Sequence, residues 1–230
     1  MKLTVHDVKA DGSCFFRSIY HSARFTGNLP YILKYVIGVK TPVLESWNEE
    51  LFVVEIRKSF ASKLLHGTFL DTIYTNLHDL YVNDKATYRE IIMSSYPRWF
   101  VKLFKRMPHS LDTFKSQYAS SVLKITNWVG QIEVEFFYNL LAKKHSRSSS
   151  QTKYPVPQLV ILNNVPSRKA QLDCKTMYLL NIDEIHFNYI LCRKCEPPRA
   201  KVLNPETKRC VKVNGALGKR LRIKGMPVFE

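Results

Sequence analysis

Asp11-Gly12-Ser13-Cys14-Phe15-Phe16-Arg17-Ser18-Ile19-Tyr20 is the stretch on which the reading of this chain turns. Asp11-Gly12 is a turn dipeptide. Behind it Phe15, Phe16 and Ile19 recur at helical spacing, so Cys14 is expected to open an amphipathic helix. At a helix start, unpaired amides and the positive end of the dipole favour a thiolate and lower the thiol pKa. The same amides, with those of the turn before them, can face an oxyanion. A small cysteine capping an ordinary helix needs none of this chemistry. The choice between the two depends on whether the chain supplies a base.

Composition sets the frame. A chain of 230 residues suits one well-packed domain plus an appendage. Hydrophobic content of 45% with 23% charged residues excludes a disordered chain. Residues 1–10 hold no apolar run of the signal-peptide kind, and no later stretch reaches the length of a membrane span. Five cysteines without such a signal are expected to be reduced thiols in a cytosol-like compartment. Lys and Arg outnumber Asp and Glu by 35 to 19, a net charge of +16, which implies nonspecific attraction to nucleic acid or another polyanion. Residues 192–230 carry eleven Lys/Arg and three acids, a net of +8 and half of the excess. They read as a basic tail on a globular domain.

Along the chain, Leu3 to His6 reads as a short strand leading to the Asp11 turn. Gly27, Pro30, Gly38 and Pro42 predict irregular or broken structure from Phe25 to Pro42. Ser46 with Glu49 reads as a capping box opening a helix that Gly67 ends. Two further helices are expected over Thr68 to Tyr96, the second capped by Asp84. Pro97 and Pro108 interrupt the next stretch, and helices follow from Ser110 to Leu123 and from Ile132 to Leu141. His145 to Gln151 is a polar, Ser-rich loop. The periodicity then changes: Gln158–Leu162, Thr176–Ile182 and His186–Leu191 read as three strands. Helices first and strands late predict an α+β fold, a small sheet packed among helices.

Seven histidines are available as a base. His6, His21, His66, His78, His109 and His145 have no local partners of note and read as surface or structural residues. His186 differs, because it starts a strand and Asn188 stands two residues on. Strand alternation puts both on one face, so the Asn188 oxygen can accept from one ring nitrogen and leave the other for Cys14. Nucleophile, base and orienter then occur in the order Cys, His, Asn.

Asp11-Gly12-Ser13-Cys14-Phe15-Phe16-Arg17-Ser18 resembles the nucleophile motif of the ovarian tumour (OTU) family of cysteine proteases. His186-Phe187-Asn188 resembles the family's C-terminal His-aromatic-Asn/Asp motif, and Trp128-Val129-Gly130 its Trp-Gly segment. The motifs keep the family's order and span residues 3–192, leaving 193–230 as the tail. The resemblance implies a papain-like α+β fold with a small, mostly antiparallel sheet, and a deubiquitinase that hydrolyses (iso)peptide bonds after the C-terminal Gly-Gly of ubiquitin. By it Cys14 is the nucleophile, His186 the base and Asn188 its orienter. Asp11 fixes the loop whose amides form the oxyanion hole, while Gly12, Trp128 and Gly130 line the channel for the modifier's tail. No cofactor or metal is implied. Ubiquitin, polyubiquitin or a ubiquitin-like modifier is the expected partner, with the protein acting as a monomer away from membranes. That tail carries arginines, so acids are expected near the site: Glu45, Glu49, Glu50 and Glu55, or Asp183 and Glu184.

Cys192-Arg193-Lys194-Cys195 with Cys210 and Cys174 invites a zinc site, but the spacing is poor and reduced thiols are preferred. Cys195 to Cys210, with Asn204-Pro205 and Gly215 to Lys219, resembles the two-cysteine adaptor segment of large DNA virus proteins. It implies a viral protein acting in the host cytoplasm. The alternative to an enzyme is a catalytically inactive, basic adaptor or nucleic-acid-associated viral protein.

Overall fold

The computed structural model describes residues 2–142, 156–164, 173, 175–182, 186–193, 201–203, 210–212 and 228–229. It is an α+β protein. Strand β1 (Lys2–His6) leads through the Asp11 turn into α1 (Cys14–Thr26), whose first residue is Cys14, as expected. Gly27 ends α1 in the left-handed conformation (φ 78°) that glycine tolerates best.

One local expectation is sharpened and another is corrected. The stretch after Gly27 is broken, as expected, but its pieces are helical up to Gly38. Pro30 sits in the first turn of a short helix (α2, Leu29–Tyr31), where its missing N–H costs nothing, and a wider π-type turn continues from Ile32 to Ile37. Ser46 does not cap a helix. It lies in a 3₁₀ turn, and Asn48 caps α3 (Glu49–His66) by accepting from the Leu51 amide at 2.8 Å. Glu49 is thereby freed from a capping box and turns to α1.

The later helices expected from the sequence are present, together with an unexpected one between Pro97 and Pro108. They are α4 (Phe69–Asn83), α5 (Lys85–Ser95, capped by Asp84), α6 (Arg98–Phe104, between the two prolines), α7 (Leu111–Val122, capped by Ser110) and α8 (Gln131–Ala142). None of them is long and apolar enough to cross a membrane.

Strands β2 (Leu159–Leu162), β3 (Met177–Ile182) and β4 (His186–Arg193) join β1 in a sheet of order β1-β4-β3-β2. The β1–β4 and β4–β3 pairings are antiparallel and β3–β2 is parallel. Three short strands, β5 (Lys201–Leu203), β6 (Cys210–Lys212) and β7 (Val228–Phe229), pair as a separate sheet within the stretch read as a tail. Cys174, Cys195 and the Ser-rich loop lie outside the described residues, as do Asp183 and Glu184.

Helix α1 is the hub. It lies across β3 and β4 and against α3, and nearly every side chain it carries is buried. Phe15 meets Phe137 and Phe187 edge-on, and Phe16 meets Phe60. Each such ring contributes roughly 1.5–3 kcal/mol by leaving water. This packing fixes where the helix N-terminus falls relative to β4.

Candidate active site

Phe187 and Tyr189 of β4 face α1, where Phe187 packs on Phe15 and Tyr189 stacks on His21. Asn188 and Ile190 face the other way, where Ile190 joins Tyr178 and Leu180, and strand alternation puts His186 on their side. β1 stops at His6, paired to Tyr189, so it does not cover the backbone edge of Phe187. One turn of α1 takes its place. Ser18 Oγ donates to Phe187 O at 2.8 Å, and the Cys14 thiol, four residues earlier, meets the Phe187 amide. The thiol therefore rests on the peptide that joins His186 to Phe187.

Cys14 is 1% exposed. Burial pushes its pKa up, against the pull of the Phe187, Phe15 and Cys14 amides. This corrects the expectation of a lowered pKa: desolvation outweighs the helix terminus in the resting chain.

The loop before Cys14 is held by its own atoms. Asp11 Oδ1 accepts from the Ser13 amide at 2.8 Å, Asp11 O from the Cys14 amide at 3.2 Å, and Lys9 O from the Asp11 amide. Amides expected to face an oxyanion thus already have acceptors in the resting chain. Asp11 also takes Arg17 through Nε and Nη2, and the same guanidinium reaches Glu49 and Glu50. Burial works against the charge on Asp11, but Arg17 and the Ser13 amide outweigh it and hold the carboxyl below its ordinary range. The hydrogen bond to Arg17 does the same for Glu50. Glu49 binds His21 as well, at 2.5 Å. Of the acids expected near the site, Glu49 and Glu50 therefore stand beside Asp11, while Glu55 pairs with Lys58 at 2.7 Å.

Asn188 is not the orienter that alternation suggests. Its Oδ1 accepts from the Val8 amide at 3.3 Å and its Nδ2 donates to Asp7 Oδ1 at 2.6 Å. The amide is committed to the chain leaving β1, and His186 Nδ1 is buried with no partner among the described residues.

Gly12 and Gly130 permit close approach, but of this chain's own segments. A Cβ on Gly12 would stand 2.5 Å from the backbone of Ile125, Thr126 and Asn127, and one on Gly130 would stand 2.8 Å from the Pro97 ring. The Gly130 amide donates to Oε2 of the buried Glu133, whose Oε1 accepts from the buried Tyr118 hydroxyl. Trp128 is half-buried against the core, and its carbonyl accepts from Trp99 Nε1 at 2.8 Å.

Sequence reasoning missed Arg57 and Asp7. Arg57 sits mid-helix in α3, its guanidinium donating to a hydroxyl and to backbone carbonyls far apart in sequence. No local pattern marks such a residue. Asp7 follows a strand like any polar turn residue. Among the described residues no cluster of His, Cys, Asp and Glu has the makings of a metal site. No family model, curated protein or solved structure matches this chain.

Proposed function

We propose that this chain is a cysteine-type deubiquitinase of the OTU kind. The observation that carries the reading is the seat of the Cys14 thiol, at the first residue of α1, on the peptide that joins His186 to Phe187, with the His186 Nδ1 buried and without a partner among the described residues. In the reaction His186 takes the thiol proton as sulfur attacks the carbonyl of the modifier's terminal glycine. The tetrahedral oxyanion then collapses, breaking the C–N bond as the imidazolium returns its proton to the leaving lysine amine. Water, deprotonated by the same imidazole, hydrolyses the thioester and frees the carboxylate and Cys14. Because the resting thiol is neutral, proton transfer accompanies attack. Asp11, Glu49 and Glu50 give an acidic border for a basic C-terminal tail.

A ubiquitin derivative bearing a C-terminal electrophile tests this directly. Wild type should gain one covalent ubiquitin and Cys14→Ala none. Absence of labelling in wild type, or equal labelling of both, would overturn the reading. A viral protein working in host cytoplasm is the setting in which the motifs and the adaptor-like tail make sense together. The rival, an inactive basic adaptor, draws on the net charge of +16. It predicts retention on a polyanion resin at ~0.15 M salt without probe labelling.

A further inference from the structure

We propose that Arg57 is a positioning residue for Cys14, acting through the Gly12–Ser13 peptide. The inference rests on the reading of Cys14 as nucleophile. Arg57 comes from the middle of α3 and is 3% exposed. Nη2 donates to Gly12 O at 2.7 Å and Asn127 O at 3.0 Å, and Nη1 donates to Val122 O at 2.7 Å. Nε and Nη2 both reach Ser13 Oγ, which itself donates to Ile125 O. The guanidinium also lies over the Phe16 ring at 5.2 Å. It makes no ion pair among the described residues. Burial draws its pKa down to about 10, offset by the more distant charges of Glu133 and Asp11.

A buried cation is costly, and one spent on carbonyl oxygens rather than a carboxylate is placed for geometry. The geometry concerns one peptide plane. In a trans peptide the C=O and N–H point in opposite directions. Arg57 takes the carbonyl of the Gly12–Ser13 peptide, while its N–H is taken by Asp11 Oδ1, which Arg17 holds in turn. Two arginines from different helices thus clamp a single peptide from its two sides, and the next residue is Cys14. The same Arg57 fork draws the 122–127 loop against Gly12, which only a residue without Cβ allows. Trp128 and Gly130 follow directly from that loop. Arg57 is the link by which the two sequence motifs keep register with each other.

Lysine keeps the charge of Arg57 but cannot fork to acceptors on both loops. Arg57→Lys, studied at a temperature where thermal unfolding shows it folded, should therefore uncouple the loops without removing the nucleophile. With ubiquitin carrying a C-terminal aminocoumarin amide, kcat should fall on the order of 10- to 100-fold with KM within about threefold, as expected for a misplaced reacting group. Iodoacetamide should in contrast modify Cys14 several-fold faster, because the loop sealing it has loosened. Amides of residues 12–14 and 125–130 should exchange faster while those of α4 and α5 do not. Unchanged kcat with unchanged exchange in both loops would overturn the proposal, as would a loss carried wholly by KM. Should wild type turn over no substrate, the deubiquitinase reading fails, and alkylation and exchange alone decide whether Arg57 positions Cys14.

Discussion

Asn188 Nδ2 donates to Asp7 Oδ1 at 2.6 Å, joining residues 181 positions apart. With Asn188 Oδ1 on the Val8 amide, the side chain extends the β1–β4 pairing beyond the point where the backbone ladder stops. Asn188→Asp would set two carboxylates face to face and remove the donor. We expect a loss of about 1–3 kcal/mol at pH 7 by chemical denaturation. Adding Asp7→Asn restores a donor–acceptor pair, so a double-mutant cycle should show coupling of at least ~1 kcal/mol. Additive losses would mean that the pair does not interact in solution.

Arg17 pairs with Asp11, Glu49 and Glu50 together. Arg17→Met should cost about 2–4 kcal/mol at neutral pH, a range discounted for the solvent around Glu50. The carboxyls of Asp11 and Glu50 titrate below their ordinary values in the folded chain. Their contribution is therefore complete above the unfolded pKa values, at about pH 5 and higher, and is lost as pH falls through the lower, folded ones. The gap between wild type and variant should narrow at pH ~3.5 in urea titrations. A gap independent of pH would show that the charges are not coupled.

Gly12 and Gly130 invite a comparison. The neighbours a Cβ would strike at Gly12 are backbone atoms of residues 125–127, whereas at Gly130 the nearest is the Pro97 ring. Gly12→Ala must displace one of two loops and is expected to cost roughly 1–3 kcal/mol, with Gly130→Ala costing less. At about 2–4 °C per kcal/mol, thermal unfolding resolves the order. Equal melting temperatures for Gly12→Ala and wild type would refute the tight packing of these loops.

The raised pKa of Cys14 has a direct kinetic signature. A thiol titrating above its ordinary value is mostly protonated at pH 7, so iodoacetamide should react slowly there and faster only as pH rises past the ordinary thiol range. Mass spectrometry of the native protein across that range gives the profile. A plateau already reached below pH 7 would reveal a resting thiolate–imidazolium pair in place of the neutral thiol.

Much of the architecture was legible because it is written locally. Cys14 opens α1, Asp84 and Ser110 cap their helices, and the three late apolar runs are strands. Ser46 misled because Asn48, two residues on, offers an equally good cap and leaves Glu49 to serve Arg17. Pro30 misled because a proline breaks a helix in its middle and not in its first turn. The site was legible as a set of residue types but not as a set of contacts. His-x-Asn on a strand predicts a shared face, yet the Asn188 amide found the better-placed Val8 and Asp7. Arg57 left no trace in the sequence, since backbone carbonyls are present at every residue and only folding selects which of them it meets.

The order of the main sheet, with β1 beside β4, has a consequence for how the protein comes into being. During synthesis Cys14 and the helix it opens emerge early, but the strand edge on which the thiol rests belongs to Phe187. Until residues up to 193 have left the ribosome, β1 has no partner and Cys14 has no seat. A nascent chain thus carries the Cys14 thiol through most of translation without the strand edge on which it comes to rest, and the two meet only when the last-made strand of this sheet closes between β1 and β3.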